Sequence, residues 1–148
     1  MTSRDYRRRI AADFYRAFCP DRSGEIDFID FNYSVRDVKI AAGTRLCGFK
    51  DPRVSPLKTT FFCHPGTPVD ILGVHGAGTL KTNPKALAKV LNEYEVLRDI
   101  PHALESVCAD GIDAWSEGGR THPVAGGGWQ YKIPRPHLYL RYTTRFPR

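Results

Sequence analysis

Glycine and proline cut this chain into short pieces. Breaks fall at Cys19-Pro20, Ala41-Ala42-Gly43, Asp51-Pro52, Ser55-Pro56, His64-Pro65-Gly66-Thr67-Pro68, Gly76 to Gly78, Pro101, Gly126-Gly127-Gly128 and Pro134-Arg135-Pro136. Between such breaks only short elements fit. The pieces rich in β-branched and aromatic residues read as strands: Ile26–Phe31, Val35–Ile40, Thr44–Phe49, Thr59–Cys63, Glu95–Ile100 and His137–Thr143. Two stretches carry helical spacing. Tyr6, Ile10, Phe14 and Phe18 recur every four residues behind a capping Ser3. Leu87, Val90, Leu91 and Tyr94 follow an Asn83 cap and Pro84 at the first helical position. His102 to Cys108 fits helix and strand alike. Strands and helices do not alternate, which argues against a doubly wound parallel sheet. The expected fold class is α+β with small, mostly antiparallel sheets. A single domain is expected over 1–148, with an N-terminal helical segment at 1–25 and a core at 26–148.

Charge narrows the partners. The 22 Lys and Arg outnumber the 16 Asp and Glu, for a formal charge of +6. That suits an anionic ligand or an acidic protein partner. The basic residues are dispersed except for Arg7-Arg8-Arg9, which reads as a solvated helix face, so nucleic acid is not indicated. Nothing approaches the roughly 20 apolar residues of a membrane span, and the start lacks the apolar stretch of a secretory signal. Cys19, Cys47, Cys63 and Cys108 are far apart, with no C-x-x-C pair, so no metal site is expected. Buried free thiols and two disulfides both remain open.

Proton-transfer chemistry has little to work with. There is no P-loop, G-x-S-x-G or H-E-x-x-H motif. Cys63 and His64 are neighbours, and neighbours on a strand point to opposite faces. What remains is arginines, amides, aromatics and glycine loops, which bind and orient. Gly126-Gly127-Gly128 runs into Trp129-Gln130-Tyr131 and then Lys132-Ile133, the start of a strand. Either this is a bare loop carrying a ligand's phosphates or sugar to a fixed amide, or it is a plain hairpin connection.

Four pieces in order resemble the polymorphic toxin type 46 domain of bacteria. They are Gly43-Thr44-Arg45-Leu46; Thr60-Phe61-Phe62 running into Pro65-Gly66-Thr67-Pro68 and Leu72-Gly73; Asp113-Ala114-Trp115-Ser116; and Gly126-Gly127-Gly128-Trp129-Gln130-Tyr131. The last piece is also similar to the end of the tuberculosis necrotizing toxin domain, where a glycine run precedes a functional glutamine and a tyrosine. Gly48 stands where that pattern has an arginine, and Arg45 or Arg53 is the substitute. The resemblance spans about Ile26 to Ile133. It implies an ADP-ribosyltransferase-like fold and an NAD glycohydrolase, with NAD or NADP as substrate and no separate cofactor. It further implies delivery by a secretion system such as type VI, with a delivery partner or chaperone, from the producer's cytoplasm into a rival bacterium. A cognate immunity protein would protect the producer.

The site expected on that basis has Gln130 and Arg45 as catalytic residues. Phe62, Trp115, Ser116, Gly127, Gly128 and Arg53 would bind substrate. Nicotinamide is a cationic leaving group, so its bond to ribose can break without a general acid, leaving oxocarbenium character on the sugar. An amide can hydrogen-bond that ribose, an arginine fork matches phosphate oxygens, and an aromatic face can stack on nicotinamide. Two alternatives stand beside hydrolysis. Mono-ADP-ribosyltransferases acting on arginine typically have a glutamate where Gln130 stands, and here Glu105 or Glu117 would have to supply that carboxylate. A non-enzymatic basic binding module would use Trp129, Tyr131, Tyr139 and Tyr142 with Lys132, Arg135 and Arg141.

Overall fold

The structure, a computed structural model, describes residues 2–50, 55–57, 61–68, 72, 90–113, 122–124 and 126–146. The chain opens with helix α1, Ser3–Phe18. Its cap is Thr2 rather than Ser3, because Thr2 and Asp5 form a reciprocal capping box. Of the four-residue stripe only Phe14 is buried; Tyr6 is 60% exposed and Phe18 37%. The inward face is turned by one position, so that Ala11 and Tyr15 join Phe14, with Ile10 at its margin. Pro20 ends the helix and begins a 3-10 segment, Pro20–Phe28. The strand expected at Ile26–Phe31 is therefore not formed. Only Ile29 reaches a partner, in an isolated bridge to Cys108, while Asp30 N–H donates to the Val107 carbonyl at 2.8 Å.

The remaining strands are β1 Arg36–Ile40, β2 Arg45–Lys50, β3 Phe61–Phe62, β4 Val90–Val96, β5 Ile100–Val107, β6 Gly111–Asp113, β7 His122–Val124, β8 Trp129–Lys132 and β9 Leu140–Phe146. They form a four-stranded sheet in the order β1-β5-β8-β3 and a three-stranded sheet in the order β2-β4-β9, with β6 and β7 as a separate pair. Every pairing is antiparallel. The fold is thus α+β with small antiparallel sheets.

Three readings of the sequence need correction. The helix expected from Asn83 is a strand over its second half: Val90, Leu91 and Tyr94 lie in β4, between β2 and β9. Residues 83–89 lie outside the described residues. Val90, Leu91 and Tyr94 satisfy helical spacing, but burial follows period two. Asn92, Tyr94 and Val96 are buried, and the sheet neighbours decide the matter. Second, the strand expected at Glu95–Ile100 straddles the turn between β4, which ends at Val96, and β5, which begins at Ile100, and Pro101 does not end a strand. It lies within β5, where the pairing with β1 slips between Val38↔Ala103 and Ile40↔Ile100, a bulge at which a missing N–H is tolerated. Third, the strand expected from His137 begins at Leu140, because Pro136–Leu138 forms a 3-10 turn behind Arg135 at φ 50°.

Two cores result. The larger lies between the sheets, where Phe62, Tyr131, Ile133, Ile100 and Ala103 meet Leu46, Tyr94, Val96 and Leu140. The smaller lies between α1 and the outer side of the four-stranded sheet, around Phe14, Tyr15, Phe31 and Leu104. All four cysteines are buried free thiols. Ile133 is 0% exposed, so Ile133→Ala should cost about 2–5 kcal/mol in a denaturant titration. Leu91, half-buried in β4, should cost less when cut to alanine. An equal loss from Leu91→Ala would mean that β4 carries the wrong face inward.

Candidate functional site

Strand register brings the candidate residues onto one surface. Directly paired residues in an antiparallel sheet share a face, and so do residues two apart on a strand. Gln130 pairs with Ser106 and Lys132 with Phe61. Two residues beyond Phe61, Cys63 pairs with Cys47 in a bridge that exchanges both backbone hydrogen bonds at 2.8 Å. Two residues before Cys47 stands Arg45. The bridge therefore joins the two sheets edge to edge and makes one face continuous. Ser106, Gln130, Lys132, Phe61, Cys63, Cys47 and Arg45 all belong to it.

Gln130 is firmly held on this face. It is 6% exposed. Its Nε2 donates to the Phe28 carbonyl and to Ser106 Oγ, each at 3.3 Å. Beside it Lys132, 2% exposed, ion-pairs with Glu25 at 2.6 Å. The ammonium also lies 5.0 Å from the Phe61 ring and 5.8 Å from the Tyr15 ring. Tyr15 hydroxyl meets the same Glu25 carboxylate at 3.3 Å, and burial, then the Glu25 charge, push that phenol well above its ordinary range. The Pro20–Phe28 segment thus crosses the face as a strap, tied by Glu25 and Phe28.

Arg45 opens β2 and is exposed. Among the described residues, no hydrogen bond or ion pair engages its guanidinium; its cross-strand neighbour Glu95 is taken by Arg141 at 2.9 Å. Phe62 does not belong to this surface. It is 2% exposed and packs edge-on against Tyr94 in the core between the sheets. A ring buried there has no face to offer a ligand. Phe61, one residue earlier, is the aromatic on the Gln130 side, half-buried with its ring 6.3 Å from that of Phe28. Trp115, Ser116 and Arg53 lie outside the described residues.

The glycine run serves the fold and not a phosphate. Gly126 N–H donates to Asp110 Oδ1 at 2.7 Å, and Gly127 N–H to the Cys108 carbonyl at 2.8 Å. The Gly128 carbonyl accepts from Cys108 N–H at 2.8 Å. Backbone donors that are already satisfied cannot cradle an anion, and the Asp110 carboxylate would repel one. Substrate binding through the Gly127 N–H is corrected accordingly, and Gly128 is buried with its carbonyl given to Cys108. Glycine is needed here because a Cβ on Gly126 would stand 2.1 Å from the Cys108 carbonyl oxygen, and because Gly127 has φ +104°.

Sequence reasoning missed the partners. Ser106, Glu25 and the Phe28 carbonyl come from distant stretches, and the only visible signal was the polar pair Gln130 and Lys132 at strand spacing. It also missed a chain on the opposite face. His64 Nε2 and Tyr131 Oη are 2.8 Å apart, Tyr131 donates to Glu105 at 2.8 Å, and Arg36 holds the other Glu105 oxygen at 2.6 Å. Burial, then the Glu105 hydrogen bond, push the Tyr131 phenol up to about 12, so it stays a neutral donor around pH 7.

The pattern of the bacterial toxin 46 family matches residues 4–137, and the chain belongs to that family. Among solved structures it is similar to Tse6 in complex with Tsi6, with a TM-score of 0.75, 23% identity, and 98% of this chain and 99% of that chain covered. It is also similar to Rhs1-CT in complex with its cognate immunity protein RhsI1, with a TM-score of 0.46, 18% identity, and 78% and 82% covered. No curated protein matches the chain.

The two roles of glycine can be separated by thermal melting. Gly127→Ala should cost about 1–3 kcal/mol, the strain of a side chain at positive φ. Gly126→Ala should cost more, since its methyl meets backbone. A tolerated Gly126→Ala would mean that the loop is not zipped to Cys108–Asp110.

Proposed function

We propose that this chain is an NAD glycohydrolase toxin with an ADP-ribosyltransferase-like fold. It would cleave NAD to nicotinamide and ADP-ribose inside a rival bacterium. Family membership and the fold likeness to Tse6 support a toxin. The observation that carries the NAD reading is the continuous face on which Arg45, unengaged among the described residues, and anchored Gln130 both stand. In this reading Arg45 takes the pyrophosphate, and Gln130 meets the nicotinamide ribose as positive charge develops on it. Departure of nicotinamide needs no acid, and the waiting ribosyl cation is captured by water. Phe61 is the aromatic available for stacking.

Transfer to a macromolecule is less well served. It calls for a carboxylate to activate the acceptor. Glu105 is on the opposite face from Gln130, tied to Tyr131 and Arg36, and Glu117 lies outside the described residues. Delivery by a secretion system such as type VI, a chaperone or delivery partner, and an acidic immunity protein complete the proposal. Tse6 itself is solved in complex with Tsi6, and a chain of charge +6 favours an acidic partner.

The test is NAD consumption with product identification. Nicotinamide plus free ADP-ribose is expected; label on a macromolecule means transfer, and no turnover with retention on RNA means a binding module. Gln130→Ala should lower kcat by about 10²–10³. It should also cost about 1 kcal/mol of stability, because Ser106 loses its buried partner, while the Phe28 carbonyl keeps Ala109 N–H as a donor. Arg45→Ala should act mainly through KM, since a phosphate contact exists before and during reaction. If both variants kept wild-type kinetics, the chemistry would lie elsewhere.

Gln130→Glu separates hydrolysis from transfer. The new carboxylate would face the Phe28 carbonyl, acceptor against acceptor, in a buried position. Its pKa should therefore rise above the unfolded value of about 4.3. The variant should be closest to wild-type stability below that pH and lose ground as pH rises toward the folded pKa. A Gln130→Glu protein as stable as wild type at pH 8 and active in transfer would favour the transferase reading.

A further inference from the structure

The hydrogen bonds around Gln130 determine which end of its amide a ligand meets. Nitrogen and oxygen of an amide are told apart by their partners. A backbone carbonyl can only accept, so the end of Gln130 facing Phe28 is the NH2 group. Its second contact, Ser106 Oγ, also accepts from it. Both donors of Gln130 are thereby used inside the protein. Among the described residues its Oε1 has no hydrogen-bond partner, and it is not among the buried atoms lacking one. Oε1 is the end left to face outward.

We infer that Ser106 and the Phe28 carbonyl are positioning groups that lock the Gln130 amide so that it presents only its carbonyl oxygen, an acceptor, to the substrate. This rests on the NAD reading above. It deepens it by assigning the chemical class of the group that meets Gln130: a hydroxyl or N–H donor, as the ribose diol offers, and not a phosphate or carbonyl oxygen. The geometry has a ready cause. Ser106 is paired directly with Gln130 across β5 and β8 and is 2% exposed, so its hydroxyl cannot drift. Phe28 ends the strap that Glu25 fastens to Lys132, two residues along the strand from Gln130. An amide held from two sides loses little freedom when the substrate arrives, and a supporting group of this kind acts on the reacting geometry more than on binding. Without Ser106 one anchor remains, and the amide can turn about it.

The variants are Ser106→Ala, which removes the oxygen, and Ser106→Thr, which keeps it. With NAD as substrate, Ser106→Ala should lower kcat about tenfold and change KM less than about twofold. Ser106→Thr should recover most of the loss. A second readout needs no turnover. In 15N-labelled protein the Gln130 side-chain NH2 signals, assigned by their loss in Gln130→Ala, should be shifted and protected from exchange. In Ser106→Ala both properties should weaken, and in Ser106→Thr they should return. If wild-type protein does not consume NAD while the NH2 signals behave as stated, the NAD reading falls and the locked amide stands. If the NH2 signals exchange freely in the wild type, or Ser106→Ala leaves them and kcat unchanged, the positioning role is overturned.

Discussion

The two backbone hydrogen bonds between Cys47 and Cys63 are the join on which this architecture turns. Without them the four-stranded and three-stranded sheets would share only a core. With them the sheets meet edge to edge, and a single surface runs from β5 through β8 and β3 to β2. The alternation of side chains does the rest. Leu46 and Phe62 precede the bridging residues and point into the core between the sheets. Cys47 and Cys63 are therefore sent to the other face, beside Arg45 and Phe61. Small apolar thiols suit a buried crossing where larger side chains would collide.

The two faces have divided their tasks. The inner one is mainly apolar, with Tyr131, Phe62 and Ile133 against Leu46, Tyr94 and Leu140, and takes in the buried Asn92 and the Tyr131–Glu105 pair. The outer one buries Ser106, Gln130 and Lys132, and buried polar groups are tolerable only when paired. The pairing comes from the Pro20–Phe28 strap, through Glu25 and the Phe28 carbonyl. α1 holds that strap in turn, because Tyr15 hydroxyl meets Glu25 and Ile26 packs against the core around Phe14 and Tyr15. The boundary drawn in sequence at residue 25 falls inside the strap, at the very residue that ties it to β8.

Much of this was legible because the deciding signals were local. Pro20, the helix at the start and the β-branched runs of β1 and β2 need only near neighbours, whereas the strand expected to start at Lys132-Ile133 is β8, Trp129–Lys132, which ends there. The failures share one cause. Val90, Leu91 and Tyr94 fit helix and strand spacing equally, and their place between β2 and β9 was settled by partners far along the chain. Phe61 and Phe62 look interchangeable in sequence, and only the pairing with Lys132 and Tyr131 tells the Gln130 face from the core. The glycine run is not the turn of a hairpin, since it links β7 to β8, which do not pair, and the reading from sequence was incomplete. What it lacked was Asp110 and Cys108, which claim the loop's donors. Arg45 and Gln130 were named from the sequence. Their common face was not visible until the bridge at Cys47 and Cys63 was known.

The scaffold itself also has a say in which residue stands at position 130. Phe28 offers a carbonyl that no mutation of its side chain can change, and it points at this position. An amide satisfies that carbonyl, whereas a carboxylate repels it unless protonated. A catalytic glutamate here would need a different strap, not merely a different codon. The preference for glutamine is thus built into backbone geometry more than a hundred residues away in the chain. An amide cannot serve as a base toward an incoming acceptor, while its oxygen can still hold a sugar whose own leaving group departs unaided. On the proposed NAD reading, the surroundings of Gln130 suit a reaction in which water captures the sugar better than one in which an acceptor must first be deprotonated.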